Sequence, residues 1–190
     1  MTGEHGTTTK RPDRTIMTYT GRIVRPLEMT ANDIDIVDIA HALSMKCRYT
    51  GHCRRYLSVA QHCVLMARRD LPGPAAWRLM HDSSEAYLPD IASPIKDQFP
   101  VIKQAEERIL AAVAEKFVLA PYSTAYLAVH KADVAMMVWE GQWNMNDADQ
   151  KGIWWAANLS EYPMRQDFCS WDPQRAEQEF LKEAECLLDL

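Results

Sequence analysis

No stretch of this sequence approaches the roughly eighteen consecutive apolar residues of a membrane-spanning helix, and the N-terminal MTGEHGTTTKRPDR lacks the apolar core of a secretory leader. The expectation is a cytoplasmic protein with no membrane partner. The five cysteines, Cys47, Cys53, Cys63, Cys169 and Cys186, include no CxxC pair. Cys47 and Cys53 are close enough to share a metal or a disulfide, but their separation is not a usual zinc spacing, so reduced, partly buried thiols are expected. A Gly-rich phosphate loop of the GxxxxGK[ST] type is missing, as are internal repeats and sustained heptads. Long blocks of one charge sign are missing too. With a net charge of −5 and both signs interspersed, a long nucleic-acid groove is disfavoured and no stable nucleic-acid partner is expected. A small anionic ligand needs only a few local cations.

What is present is helix. In 190 residues, 47% of them hydrophobic, there is room for one domain with an ordinary core. Residues 1–14 read as a polar tail and 15–190 as a single all-α domain of six to eight helices with little or no strand. IMTYTGRIVRPL could hold one or two short strands. DIDIVDIAHALSMKC is the first clear helix, with Asp35 and Asp38 as an acidic N-terminal box. RYTGHCRRYL is a loop. Ser58 and Gln61 form a capping box for VAQHCVLMARR, DLPGP ends that helix, and Pro74 suits the first turn of PAAWRLMHDSSEAYL. VIKQAEERILAAVAEKF and YSTAYLAVHKADVAMMVWEGQW follow, then a shorter IWWAANLSEY. The C-terminal helix opens on Asp172 and Pro173, and its amphipathic pattern makes a homodimer or higher homo-oligomer an expectation.

Polar residues interrupt three of these apolar helices. His81 and Asp82 lie about 100 degrees apart on the third, with Glu85 one turn later on the same side. His62 lies inside the second helix and Asp133 inside KADVAMMVW. Carboxylates are rarely buried without partners, and a single divalent ion held by His62, His81, Asp82 and Asp133 would account for all of them together. Nitrogen and oxygen donors suit Mn, Fe, Co, Zn or Mg. Bland readings stand beside this one: His62 as a hydrogen-bonded core histidine, and Asp133 as a cap or a partner of Lys131. His52 competes with His62 for the role, and His41 and His130 do so more weakly. The Arg54–Arg55 pair, with Arg22, Lys96 and Lys131, offers cations for a phosphate. Trp139, Trp143, Trp154, Trp155, Tyr19 and Tyr87 offer stacking surfaces for a base, although aromatics at helical spacing are usually core. YTGRIVRP is the better candidate for selecting the substrate.

SVAQHC, LMHDSSEAYLPDIASPIK and KADVAM together resemble the HD-domain metal-dependent phosphohydrolases, over approximately Tyr19 to Met137. HDSSEAYLPDIASPIK is similar to the HDxSE...GD(I/L)P(S/T)P(I/V)K region of the bacterial 5'-deoxynucleotidase branch. DIDIVDIAHALSMKCRYTGHCRRYLSVAQH resembles a subgroup that includes phage dATP triphosphohydrolases. The resemblance implies His62, His81, Asp82 and Asp133 as metal ligands, Glu85 as the residue that activates or orients water, and Asp90 as a second polar residue near the nucleotide and the catalytic water. It implies release of phosphate from a deoxynucleoside monophosphate. The alternatives are triphosphate release from a dNTP, where a second ion could accompany the polyphosphate, and a non-catalytic regulatory or interaction module. Pro89 replaces the usual Gly before Asp90, and the interval from His62 to His81 is short for the deoxynucleotidase branch, which would narrow or reshape the nucleotide pocket.

Overall fold

A computed structural model of the chain describes residues 14–89, 91–96, 98–145 and 168–190. Among the described residues the protein is all-α: seven α-helical segments, short 3-10 turns and one small hairpin. In that hairpin β1 (Ile16–Met17) pairs antiparallel with β2 (Ile23–Val24), with Ile16 opposite Val24. Helix α1 (Ile36–Met45) opens on Asp35, whose carboxylate accepts the Val37 N–H at 2.9 Å. Asp38 does not complete the acidic box. It turns inward, is 2% exposed, and accepts from the Thr20 N–H at 2.7 Å and the Thr20 hydroxyl at 2.9 Å, which ties the hairpin to α1.

Helix α2 (Val59–Arg68) is capped as expected, the Ser58 hydroxyl accepting the Gln61 N–H at 3.0 Å. The reciprocal half of the box is absent, because the Gln61 side chain donates to the Cys169 carbonyl at 2.6 Å and accepts the Trp171 N–H at 3.0 Å. A local cap bond has been exchanged for a tie to the C-terminal segment. The chain then reverses through Gly73, at φ +87, where an added Cβ would lie 3.0 Å from a Val129 methyl. Helix α3 (Ala75–Met80) follows, with Pro74 in the cap position, one residue earlier than a first-turn proline. The buried Arg78 guanidinium stitches this reversal together: it donates to the carbonyls of Met66 (2.9 Å), Ala67 (3.0 Å), Arg69 (3.1 Å), Leu71 (2.7 Å) and Gly73. Met66 and Ala67 are in the last turn of α2, whose carbonyls have no partner within the helix and where the helix dipole also favours a cation; Arg69, Leu71 and Gly73 belong to the cap and the turn that follows.

The sequence pattern carries the third helix through to Leu88, but α3 stops at Met80. The Ser83 hydroxyl takes the Met80 carbonyl at 2.6 Å, Asp82 has a non-helical ψ of 11°, and Ser83–Ala86 forms a 3-10 turn. Serine competing for a helix carbonyl is a local reason for the break. Next come α4 (Ser93–Lys96), α5 (Pro100–Lys116), α6 (Tyr122–Asn144) and α7 (Pro173–Leu187). Asp172 caps α7 by accepting the Arg175 N–H at 2.8 Å. Buried Ala176, Phe180 and Ala184 turn the apolar face of α7 inward, and the helix packs on α1 and α2, so this face is used within the chain. The buried apolar side chains form one cluster, in which Trp77, Phe180 and Met136 are fully enclosed. The helix expected over IWWAANLSEY, Trp154, Trp155 and Asp90 lie outside the described residues. No described helix is long and apolar enough to cross a membrane.

Candidate metal centre

His62 is fully buried on α2, and its Nδ1 lies 2.7 Å from Glu140 Oε1 on α6. A carboxylate only accepts, so Nδ1 carries the proton and Nε2 is left with its lone pair. His81 follows the last residue of α3, and its Nδ1 lies 3.0 Å from the Arg78 carbonyl, which imposes the same tautomer. The two rings are 5.3 Å apart. Both Nε2 atoms are buried without a hydrogen-bond partner. Each nevertheless sits 3.2 Å from a carboxylate oxygen, His62 Nε2 from Asp133 Oδ1 and His81 Nε2 from Asp82 Oδ2.

Close approach without hydrogen-bond alignment is what donors do when they share an ion. With metal–nitrogen bonds of about 2.0–2.1 Å, neighbouring donors lie about 3.0 Å apart on an octahedral edge and about 3.4 Å apart on a tetrahedral one. The observed 3.2 Å falls between them. Donor atoms of His62, His81 and Asp82 all lie within 4.8 Å of one another, and Asp133 joins through its contact with His62. The donor set therefore fits a divalent ion, with Glu140 and the Arg78 carbonyl orienting the two imidazoles as outer partners.

Charge points the same way. Arg48 reaches into the cluster, with Nε 2.9 Å from Glu140, NH1 3.7 Å from Asp82 and NH2 3.8 Å from Asp133. Three carboxylates against one guanidinium leave two negative charges when both imidazoles are neutral. One divalent ion neutralises them, as do two imidazole protons. Burial opposes a charge on His81, yet Asp82 and Cys63 outweigh it and hold its pKa well above the usual 6.5. For His62, burial and Arg48 oppose the charge and Glu140 and Asp133 outweigh them, so its pKa also rises. Asp82 moves oppositely: burial would raise it, but His81 brings it down to about 2. Asp133 is likewise lowered, chiefly by His62 against burial. Protons and a metal ion thus compete for the same two nitrogens.

All four expected ligands are brought to one place; His62 is a buried, hydrogen-bonded histidine as the bland reading has it, but its partner is Glu140 and its Nε2 faces Asp133. Asp133 faces His62 and Arg48 rather than Lys131, which is exposed. The competing histidines lie elsewhere: His52 is exposed, His41 stacks on Tyr19 at 3.6 Å and meets Glu177 at 3.0 Å, and His130 stacks on Tyr126. Glu85 lies three residues past Asp82 in the 3-10 turn, an arrangement that eclipses side chains, so it remains on the Asp82 side. Lys96 pairs with Glu106 at 2.6 Å, and burial is outweighed by Glu106, Glu85 and Asp82 in raising its pKa.

The guanidiniums of Arg55 and Arg22, two of the expected phosphate cations, lie away from the cluster, and the Arg54 backbone is tied to the far end of α6. The Arg55 N–H donates to Asn144 Oδ1 at 2.8 Å and its guanidinium lies over the Trp143 ring, while the Arg54 N–H donates to the Asn144 carbonyl at 2.8 Å. Asn144 is eleven residues beyond Asp133 on α6, about 16 Å along the helix. Arg22 is exposed and donates to the Asn32 carbonyl at 2.9 Å. Trp139 and Trp143 pack beside Arg69 and Arg55, and Tyr87 is buried with its hydroxyl accepting the Asp35 N–H at 3.3 Å. The cation missed was Arg48, and the carboxylate missed was Glu140. Glu140 stands seven residues, two turns, after Asp133 in the same apolar stretch, and that spacing was a usable signal.

No family model matches the chain. It is 39% identical over 125 residues to the uncharacterized protein YfdR of Escherichia coli (strain K12), covering 66% of this chain and 69% of that one. It is 35% identical over 107 residues to an uncharacterized protein of Rhodobacter capsulatus, covering 51% of this chain and 55% of that protein.

Proposed function

The chain belongs to the same family as the Escherichia coli protein YfdR, and we propose that it is a divalent-metal-dependent phosphohydrolase of the HD-domain superfamily, releasing phosphate from a deoxynucleoside 5'-monophosphate. One observation carries the reading: two buried imidazole Nε2 atoms without hydrogen-bond partners, each 3.2 Å from a carboxylate. When bound, the ion supplies Lewis acidity, making water easier to deprotonate and drawing charge from a phosphoryl oxygen. His62, His81, Asp82 and Asp133 hold it. Glu85, beside Asp82 but outside the ligand set, orients the attacking water and takes its proton as the new P–O bond forms, while the bond from phosphorus to the 5'-oxygen breaks and that oxygen leaves with a proton from solvent. Arg48 presents a planar donor fork next to two of the ligands, placed to meet a phosphate oxygen and to offset the charge that develops on it. Lys96, close enough to feel both Glu85 and Asp82, adds positive potential on that side.

The number of cations favours a monoester. Among the described residues, Arg48 is the guanidinium at the cluster, while Arg54 and Arg55 are tied to the far end of α6. A triphosphate chain would call for more positive charge than that. The test is metal content beside product analysis with dNMP and dNTP substrates. His81→Ala and Asp82→Ala should lose both metal and turnover. Glu85→Ala should keep the metal and lose about 10²–10⁴ in rate. A metal-replete, fully active Asp82→Ala would overturn the assignment. Intact triphosphate among the products would replace the nucleotidase by a dNTP triphosphohydrolase, and failure of the wild type to bind any divalent ion would favour an interaction module.

A further inference from the structure

The turn that delivers Arg48 to the metal cluster is bracketed by two sulfurs. Cys47 and Cys53 are both half-buried free thiols, and their Sγ atoms are 3.4 Å apart. Between them the backbone is held tightly: the Gly51 N–H donates to the Arg48 carbonyl at 3.1 Å and the His52 N–H to the Tyr49 carbonyl at 2.9 Å. Tyr49, Thr50 and Gly51 have φ of +56°, +53° and +77°. A tyrosine and a β-branched threonine in the left-handed region are strained, and such a turn persists only where its ends are fixed. The ends here are fixed by the bridge between Cys47 and Ser58 and by the Arg48 N–H donating to the Leu57 carbonyl at 2.9 Å. Cys53 Sγ also lies 3.8 Å from the Arg48 carbonyl.

We propose that Cys47 and Cys53 form a reversible disulfide site, oxidised by peroxides, that closes the turn carrying Arg48. The sulfurs need only move from 3.4 Å to the covalent separation of about 2.0 Å. Cys53 has a carbonyl to which its S–H can donate, which holds that sulfur as the thiol, so Cys47 attacks first. The Cys47 thiolate takes one oxygen of the peroxide; the O–O bond breaks, leaving a sulfenic acid and hydroxide, which is protonated to water. Cys53 then attacks the Cys47 sulfur and loses its proton; the S–O bond breaks, the S–S bond forms and a second water leaves. Two thiols have lost two electrons and two protons, and hydrogen peroxide has become two waters. A dithiol reverses the bond by exchange. Cys63 is fully buried, and it is Cys47 and Cys53 whose sulfurs are already in contact, so the bond is specific to this turn. Its effect on catalysis rests on the role proposed for Arg48; formation of the bond does not.

The test uses the full chain carrying Cys169→Ser and Cys186→Ser, treated while folded with near-stoichiometric hydrogen peroxide, alkylated, and digested with trypsin. Cleavage after Lys46, Arg48 and Arg54 should yield the dipeptide 47–48 joined to the hexapeptide 49–54, two hydrogens lighter than the separate thiols and parted by dithiothreitol. Amide exchange across 48–57 should slow at least threefold on oxidation. With Cys53→Ser added, the link should vanish and dimedone should trap a sulfenic acid on Cys47. Full alkylation of both cysteines after oxidation, a link that appears only in urea, or unchanged exchange across the turn would each overturn the proposal. A linked, slowly exchanging turn with unaltered phosphate release would instead count against the role of Arg48 and leave the disulfide standing.

Discussion

The guanidiniums of Arg78 and Arg48 are both largely enclosed, and their surroundings have almost nothing in common. The Arg78 guanidinium donates to carbonyl oxygens from Met66 to Gly73, all neutral dipoles, with Asp70 as the charge that acts on it from nearby. Around Arg48 there are three carboxylates, Asp82, Asp133 and Glu140. The first neighbourhood satisfies its cation with partners that no other ion needs. The second gathers more negative charge than its cation can balance, and that excess is what a metal ion can occupy. A buried arginine is therefore a structural clip in one place and a partial counter-ion in the other, and the difference lies in whether the acceptors are dipoles or charges.

Substitution should separate the two. Arg78→Met strips donors from several enclosed carbonyls at once, and about 3–5 kcal/mol of stability should be lost. Denaturant melts should show this loss equally with and without metal; rescue by metal would erase the contrast. Arg48→Met should behave differently. Metal-free, it leaves Glu140 without its guanidinium partner and should melt lower by roughly 2–3 kcal/mol. Saturating metal should recover most of that, with affinity tightened about tenfold because a competing positive charge has gone, while turnover falls about 10²-fold. Titration calorimetry with Mn²⁺ measures the affinity, and an unchanged or weaker binding constant would show that Arg48 does not share charge with the ion.

The smallest effect is on pH. Imidazoles with pKa raised above 6.5 give the metal-free protein stability that is complete below pH 6.5 and is lost as pH climbs through their folded values. Asp82, lowered from 3.8 to about 2, contributes above pH 3.8 and fades as pH falls toward 2. Melting temperature without metal should thus peak between those limits and decline above pH 6.5. The gap between metal-bound and metal-free melting should widen as pH rises, because the ion displaces protons. The Arg78 guanidinium bonds none of His62, His81 and Asp82, so Arg78→Met should keep the same pH profile at a lower level.

The sequence foretold the elements wherever a local rule decided them: Asp35, Ser58 and Asp172 cap the helices they were expected to cap. His62, His81, Asp82 and Asp133 were legible because each interrupts an apolar run of the sequence, and the structure gathers them, His81 and Asp82 just past the end of α3. Glu140 interrupts the same helix as Asp133 by the same rule, but the KADVAM pattern drew attention to the earlier position alone. Arg54 and Arg55 looked like a phosphate clamp because two adjacent charges stand out in a string of letters. Arg48 stands alone in sequence, and only the left-handed turn at Tyr49 and Thr50, which no propensity scale encodes, aims it inward. The end of α3 at Met80 was hidden for a related reason, since Ser83 and Ser84 are tolerated in a helix until one of them takes a helix carbonyl.

The Arg78 clip also bears on the order in which the protein can assemble. His62 and His81 are nineteen residues apart, on two helices joined by the reversal that Arg78 holds. Contacts this local form early in a folding chain, since closing a short loop costs little entropy. Asp133 and Glu140 arrive from α6, more than fifty residues further on. His62, His81 and Asp82 are therefore available before Asp133 and Glu140, and an ion present during refolding would act mainly on the last step, when α6 docks. Refolding traces recorded with and without Mn²⁺ should share their fast phase and differ in the slow one.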